Sequence, residues 1–418
     1  MDLYKVFSFS LVSITIKFFA GFVLTKLFAL ILGPSGIAVL GNMKSVMQIL
    51  MSSTSFGMQR GIIRFTSEFR DQRKAFQKLL GTAHIIYGFI ALLVGVVIFF
   101  LSDHLSNVIL RDDNYAWLFQ ILAIVVPFQG FHILYFSILQ GLDNYKKVVW
   151  VELIMIFCNF IFVGVSTFKF GLTGALFGVA CVPVFYFFIS VIFLKFDIPN
   201  FKIAWYGSTA KNLFHYALMT LFSGIAFPLL FILIRNHISS VLGIDVVGYW
   251  EAVNQFSYFY FILLNSVMLM YVLPKITAQT DNLFYRSQVI EYIKKIMPLF
   301  GLFLILLYLF RKYAILILLS PEFSSTETLF GWQLLGDFFR ALTLIFSIYF
   351  HARRMAAPYI IIDALLFVLL LILTTVFVDT YGLIGAVWAH FISYFIYFVI
   401  TVFWLRKILF YTNDSVNA

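Results

Sequence analysis

The chain has 418 residues, of which 62% are hydrophobic and only 11% charged, with 29 Lys and Arg against 19 Asp and Glu for a net charge of +10. A water-soluble domain carries about 25% charged residues, so this composition excludes a soluble core and, with no long polar insertion, leaves no room for a soluble catalytic domain. Apolar runs of eighteen or more residues recur along the chain and describe a polytopic membrane protein, in which the placement of charge matters more than its sum.

Hydropathy predicts an all-α fold of about twelve transmembrane helices, near residues 7–32, 36–57, 79–102, 115–140, 147–168, 172–194, 209–234, 247–273, 294–311, 328–350, 357–378 and 382–405. The first should be retained rather than cleaved as a leader, because only Lys5 precedes it, Asp2 opposes that charge, and the span is long and carries its own lysines. With the N-terminus inside, the inner segments hold twenty Lys and Arg, including Arg60, Arg64, Arg70, Arg73, Lys74 and Lys78 in one stretch and Arg353 and Arg354 in another. The outer segments hold five: Arg111, Lys169, Arg235, Arg311 and Lys312. This bias predicts that both termini face the cytoplasm.

The first two spans meet at Leu32-Gly33-Pro34-Ser35-Gly36 and carry Lys17, Lys26 and Lys44 with no acidic residue among them. A lysine at mid-bilayer costs about 2.5–3.5 kcal/mol on insertion scales, so such charges persist only beside a wet cavity, a partner or an anionic substrate. By helix rise, Lys17 lies roughly 15 Å into the first span and Lys44 roughly 12 Å from the other face, at similar depth. We read them as the lining of a cavity, with Gln48 on the same side as Lys44 and Asn42 a turn toward the outside. Lys17 and Lys26 sit about 180° apart on an ideal helix, and share one cavity only if Gly21 bends it; otherwise Lys26 snorkels. Beyond Gly57, Arg60 and Arg64 form a basic amphipathic extension at the cytoplasmic surface. Two guanidinium forks one turn apart suit a phosphate; the competing reading is positive-inside charge with Arg64 paired to Glu68.

The chain also repeats itself: Glu152 to Leu194 falls on Asp363 to Leu405 without a gap, at an offset of 211. This predicts an N-terminal six-helix lobe (1–194), a basic, aromatic cytoplasmic linker (195–208) and a C-terminal six-helix lobe (209–418) around a central cavity. Pro127, Pro183, Pro228 and Pro298 fall inside spans, as hinges or as static kinks.

In the second half Glu251 and Asn254 share a helix face, and Gln333, Asp337 and Arg340 form an i, i+4, i+7 polar stripe at mid-depth. These five are read as cavity residues: Glu251 could neutralise a cavity lysine or carry a transported proton, or be an interfacial carboxylate, and Asp337 with Arg340 could instead be a self-neutralised structural pair on one helix. Glu152 and Asp363 read as packing groups, as do His132, His215, His390, Cys158 and Cys181. There is no paired-Cys metal motif, HExxH, P-loop or GxSxG, so no metal or cofactor is expected and a transporter is favoured over an enzyme.

Taken together, the residues resemble the Wzx-type flippases of bacterial polysaccharide synthesis, within the multidrug/oligosaccharidyl-lipid/polysaccharide exporter superfamily, over essentially the whole length. The likeness is carried by Leu32-Gly33-Pro34-Ser35-Gly36, Gly248-Tyr249-Trp250-Glu251, Tyr271-Val272-Leu273-Pro274-Lys275 and the segment from Leu329 to Asp337. Within the family it is greatest to the flippases of enterobacterial common antigen, then to O-antigen flippases of lipopolysaccharide synthesis. Where the family commonly carries Gln beside the Gly-x-Trp of the eighth span, this chain has Glu251. The resemblance implies alternating access, coupling to an ion gradient, and translocation of undecaprenyl-pyrophosphate-linked oligosaccharide from the inner to the outer leaflet of the bacterial cytoplasmic membrane. A polysaccharide polymerase and a chain-length regulator are candidate partners, which the sequence itself does not identify. Two other readings stay open. One is a multidrug exporter or cation antiporter of the same superfamily, although cationic drugs call for acidic cavities and the first-half charges are basic. The other is a membrane-embedded polymerase or sugar transferase, for which the outer loop 102–114 is the obvious catalytic loop.

Overall fold

The computed structural model describes residues 3–195, 197–214, 217–279, 281–353 and 355–410. Among them the chain is helical, without a strand. Hydrocarbon offers backbone groups no hydrogen-bond partner, so apolar runs of this length must satisfy themselves as helices. The main ones are α1 (Leu3–Ser55), α2 (Gln59–Phe69), α3 (Arg73–Phe100), α4 (Ala116–Gly141), α5 (Tyr145–Leu194), α6 (Gly207–Phe214), α7 (Ala217–Leu242), α8 (Ile244–Val267), α9 (Asn282–Glu291), α10 (Met297–Leu309), α11 (Phe330–Ala352), α12 (Ala356–Tyr381) and α13 (Leu383–Trp404).

Nine helical stretches among the described residues are long and apolar enough to cross a membrane, and two of them run to 44 and 50 residues. At 1.5 Å per residue those two measure roughly 65–75 Å, twice a hydrocarbon core of about 30 Å. Each is interrupted once by a glycine in a conformation that L side chains rarely adopt: Gly33 in α1 (φ 64°, ψ −170°) and Gly171 in α5 (φ 58°, ψ −134°). Pro34 follows the first break and supplies no backbone N–H, which suits the start of a new helix. The turn expected at 32–36 is this break. Large apolar side chains stay outward all along these helices, Phe19, Phe89, Phe168, Leu299 and Val376 among them. A surface of that kind is stable against lipid, and the protein is a multi-pass membrane protein.

The chain divides into two compact units, Met1–Leu32 with Val39–Ile232, and Gly33–Ala38 with Leu233–Ala418. In the first, α2, α3 and α4 pack around Ile62, Leu80, Tyr87, Leu134 and Leu139, all buried. Phe56 and Gly57, both at positive φ (45° and 67°), turn the end of α1 into the amphipathic α2. The segment expected as an interfacial linker is folded onto this unit: Gln77 donates to the Asn200 carbonyl at 2.5 Å and Lys147 pairs with Asp197 at 2.6 Å. In the second unit, Tyr292 on the turn after α9 donates to the Ala341 carbonyl of α11 at 2.8 Å, beside buried Phe330, Ile345 and Phe346.

The internal repeat is visible in local geometry. Gly382, offset by 211 from Gly171, ends α12 with nearly the same dihedrals (φ 66°, ψ −149°). Gly174 lies against the Ser166 carbonyl, and Gly385 against the Phe377 carbonyl, at the same offset; neither site has room for a Cβ. One sequence expectation fails here. Arg235, counted as an outer-loop cation, lies inside α7 and is buried, because α7 continues to Leu242. Of the residues singled out above, Asp2, His215 and Arg354 lie outside the described residues, as does the side chain of Lys5.

Candidate functional site

In the first unit the two arms of α1 carry the basic residues. Lys17 is exposed, one turn after Ser13, whose hydroxyl donates to Glu152 Oε2 of α5 at 2.9 Å. Among the described residues Lys17 makes no ion pair. Lys44, on the returning arm, is half-buried with its ammonium 5.6 Å from the centre of the Phe28 ring, which brings the two arms together. Gln48 is exposed one turn further on. Asn42 is buried, and its amide donates to the Ile109 carbonyl at 2.6 Å, so this residue holds the 106–110 turn in place. Lys26 is half-buried, and because the break in α1 falls at Gly33, no bend at Gly21 brings it round to the Lys17 side.

Arg60 and Arg64 lie exposed on one side of α2, while Gly61, Ile62 and Thr66 are buried on the other. Arg64 approaches Glu68 at 4.0 Å with both side chains about half-exposed. A pair of that length in water contributes about 0–1 kcal/mol and leaves the guanidinium able to exchange partners. The α2 helix is seated on the end of α4 at Gly141, where a Cβ would run into the Ile63 carbonyl and the Thr66 side chain.

The second unit buries a polar cluster between three apolar helices. Asp337 of α11 has no exposed surface. Its Oδ2 accepts from Ser257 at 2.5 Å and from Tyr260, both on α8, and its Oδ1 faces His390 Nε2 of α13 at 3.1 Å. Gln333, one turn before Asp337, donates to Ser257 Oγ at 3.1 Å and lies 3.4 Å from Asn254 Oδ1. The same-helix Asp337–Arg340 pair, one of the two sequence readings, does not form among the described residues. The carboxylate oxygens are occupied from α8 and α13, and the Arg340 guanidinium lies over the rings of Phe261 (4.1 Å) and Tyr394 (5.7 Å). Asp363, expected to pack, is buried and accepts from Tyr397 at 3.1 Å.

Glu251 stands apart from this cluster. It pairs with Arg235 at 2.8 Å, the two side chains only 12% and 7% exposed, with Trp250 stacked beside the guanidinium. Ser257 and Tyr260 escaped sequence reasoning, and two more participants were read otherwise: Arg235 as an outer-loop cation and His390 as a packing group, whereas they pair with Glu251 and Asp337. Ser257 extends the i, i+3 spacing of Glu251 and Asn254, and that stripe was there to be read. His390 gave no such signal, since its partner lies 53 positions away.

Comparison with known proteins places the chain in a family. Residues 3–278 match the model for polysaccharide biosynthesis proteins. Over 407 residues the chain is 24% identical to the lipid III flippase of Escherichia coli K12, and equally to that of Shigella flexneri, covering 95% of this chain and 97% of the relative. Among solved structures it is similar to an inward-facing multidrug resistance transporter of the MATE family (TM-score 0.75, 12% identity, 94% of this chain and 95% of that one). It is also similar to the lipid II flippase MurJ in an inward closed conformation (TM-score 0.73, 16% identity, 97% and 90%). With two-thirds of its length matched and the helical architecture in agreement, the chain belongs to the polysaccharide biosynthesis protein family.

Proposed function

We propose that the protein is a flippase that carries an undecaprenyl-pyrophosphate-linked oligosaccharide from the inner to the outer leaflet of the bacterial cytoplasmic membrane. The observation that carries this reading is the set of basic side chains within the apolar first unit, Lys17 exposed and Lys44 half-buried, in a chain that aligns nearly end to end with lipid III flippases. A cation in a span is a functional group by default, and a pyrophosphate is the anion that would justify it. Arg60 and Arg64 on α2 would meet the headgroup first, with Lys17, Lys44 and Gln48 further in and Lys26 at the rim. The prenyl tail would stay in lipid. In the second unit Asn254, Gln333, Asp337 and Arg340 would form a polar centre serving the transport cycle, and the Arg235–Glu251 pair would hold its outer end.

Reading each glycine-broken helix as two spans and adding α8 brings the nine apolar stretches to twelve spans; an even number would put both termini on one side, and the loop cations favour the cytoplasm. No bond is made or broken in the proposed activity, so the protein would act as a transporter and not as an enzyme. Its cargo would pass to a polymerase and a chain-length regulator. Binding alone moves nothing; a gradient must bias two states that differ in affinity for the cargo.

The test is charge reversal. Lys44→Glu should abolish glycan export in a flippase-null strain while the protein inserts at wild-type levels. Full complementation by that variant would refute the assignment. Drug resistance conferred by the wild type without glycan export would favour the multidrug reading instead.

A further inference from the structure

The face of α11 opposite the Gln333–Asp337–Arg340 stripe borders a groove that the transport reading does not use. The groove lies between α10 and α11 and has a volume of about 600 Å³, within the roughly 300–1,000 Å³ usual for ligand pockets. Gly301, Ile305 and Tyr308 of α10 and Gly331, Trp332 and Leu335 of α11 line it. Glycine makes the space: within 4 Å, a Cβ on Gly301 would meet only the Phe338 ring, and one on Gly331 only the Tyr308 ring, each at 3.4 Å. The groove is about one leaflet deep. From Gly301 to Phe310, where the chain turns after α10, is roughly 14 Å by helix rise, and half a hydrocarbon core is about 15 Å. Tyr308, Trp332 and Tyr313, all exposed, stand at that end, and such rings belong at a membrane–water interface.

The repeat shows that the fold can close this seam. Subtracting 211 from Leu306 and Leu334 gives Gly95 on α3 and Ala123 on α4. There the helices touch: a Cβ on Gly95 would stand 2.8 Å from the Ala123 carbonyl oxygen. The second unit has leucine at both positions, and the groove remains between its helices, with Leu334 in the wall. The mouth of the groove carries charge. Arg311 is fixed there: it donates to the Tyr308 carbonyl at 2.8 Å, pairs with Glu327 at 2.9 Å, and lies 4.4 Å over the Tyr308 ring. Lys312 is loose, 72% exposed and 3.9 Å from the same Glu327 carboxylate, a contact too long and too wet to hold it. Glu322, in the same turn as Glu327, faces Gly33 instead. Two cations thus share one carboxylate, which leaves one positive charge over.

We propose that the groove between α10 and α11 is a binding site for an anionic glycerophospholipid, with one acyl chain along Gly301 and Gly331 and the phosphodiester on Lys312. The charge at the mouth selects the headgroup. A phosphodiester brings one negative charge and matches the one left over, and Lys312 exchanges Glu327 for it. The pyrophosphate of a prenyl-linked cargo brings at least two, and a choline or ethanolamine headgroup adds a cation beside Arg311 and Lys312. The matching lipid therefore has an uncharged headgroup, as phosphatidylglycerol does. In the orientation proposed above, the mouth opens to the outer leaflet. The site is independent of what the protein carries, since its walls and its cations are not those proposed to meet cargo.

The test is a lipid titration. Full-length protein, purified in a mild detergent, receives dioleoyl-phosphatidylglycerol, dioleoyl-phosphatidylcholine or undecaprenyl pyrophosphate, and native mass spectrometry counts the molecules bound. The wild type should hold one phosphatidylglycerol more tightly than any phosphatidylcholine. Lys312→Glu changes an exposed side chain and should weaken phosphatidylglycerol about tenfold or more, leaving phosphatidylcholine unchanged. Gly331→Leu fills the groove and should remove the tight phosphatidylglycerol. Its unfolding temperature without lipid shows whether it folds; if it does not, Lys312→Glu decides alone. Neither variant should alter binding of undecaprenyl pyrophosphate. Equal binding of the two phospholipids by the wild type overturns the proposal, as does unchanged phosphatidylglycerol binding in Lys312→Glu. Loss of undecaprenyl pyrophosphate in both variants also overturns it and gives the groove to a prenyl chain.

Discussion

At the scale of single residues the molecule separates charges that are exposed from charges that are paired. Arg235 and Glu251 are a buried pair, and removing one member leaves the other charged and without compensation. Arg235→Ala should therefore destabilise the protein by about 3–5 kcal/mol, whereas Arg235→Met with Glu251→Leu should recover most of that loss. Thermal unfolding of the three proteins in one detergent measures both effects. If the double variant is as unstable as the single one, packing around the site rather than charge explains the loss. Legibility in the sequence is uneven at this scale. Asp337, Gln333 and Arg340 stand out because three polar groups recur at helical spacing in an apolar run. Arg235 does not, because it falls one residue beyond a span that hydropathy ends at 234, although α7 runs to Leu242. The Asp337–Arg340 pairing fails because the carboxylate oxygens are taken by Ser257 and Tyr260 of α8 and His390 of α13, while the Arg340 guanidinium lies over aromatic rings.

At the scale of helices, glycine sets where a long apolar run breaks. Gly171 has open space where a Cβ would stand, yet sits at φ 58°, so its side-chain-free backbone is the whole requirement. Gly171→Ala should cost about 1–3 kcal/mol from backbone strain alone. Gly174→Ala should cost more, because the added methyl meets the Ser166 carbonyl and the side chain of Phe170. The order of the two variants in detergent unfolding temperature is the measurement, and a reversed order would mean that the break at Gly171 is held by contacts and not by conformation. Gly141→Ala bears on function, since it pushes against α2 at Thr66 and the Ile63 carbonyl. It should lower flipping more than it lowers yield, because α2 presents Arg60 and Arg64. These breaks are legible in the sequence wherever glycine stands beside proline or opens a Gly-rich helix start. The π-helical turns at Met268–Val272 and Tyr292–Ile296 are not, since no residue type marks them.

At the scale of the whole chain, the repeat and the function diverge. The offset of 211 that carries Gly171 onto Gly382 also carries Lys17 onto Pro228 and Lys44 onto Gln255, and carries Val126 onto Asp337. The duplicated part is the scaffold, visible in sequence as Gly-rich helix starts. The charges differ between halves, with bases in the first and a buried acid–imidazole cluster in the second, so symmetry alone could not have located them. Orientation rests on a further asymmetry, the Lys and Arg bias of the loops. Moving Arg235 into α7 leaves twenty cations on the proposed inner side against four on the outer. Short basic loops resist export, so an alkaline phosphatase reporter should be inactive when fused after Tyr206 or Phe410 and active when fused after Asp112 or Gly243. A cytoplasmic fluorescent reporter at the same four positions should give the opposite pattern. Activity of phosphatase after Tyr206 would put Arg60, Arg64 and the segment after Lys195 on the outer face. The basic groups proposed to meet cargo would then stand where cargo leaves, and the proposed direction of transport would have to be reversed.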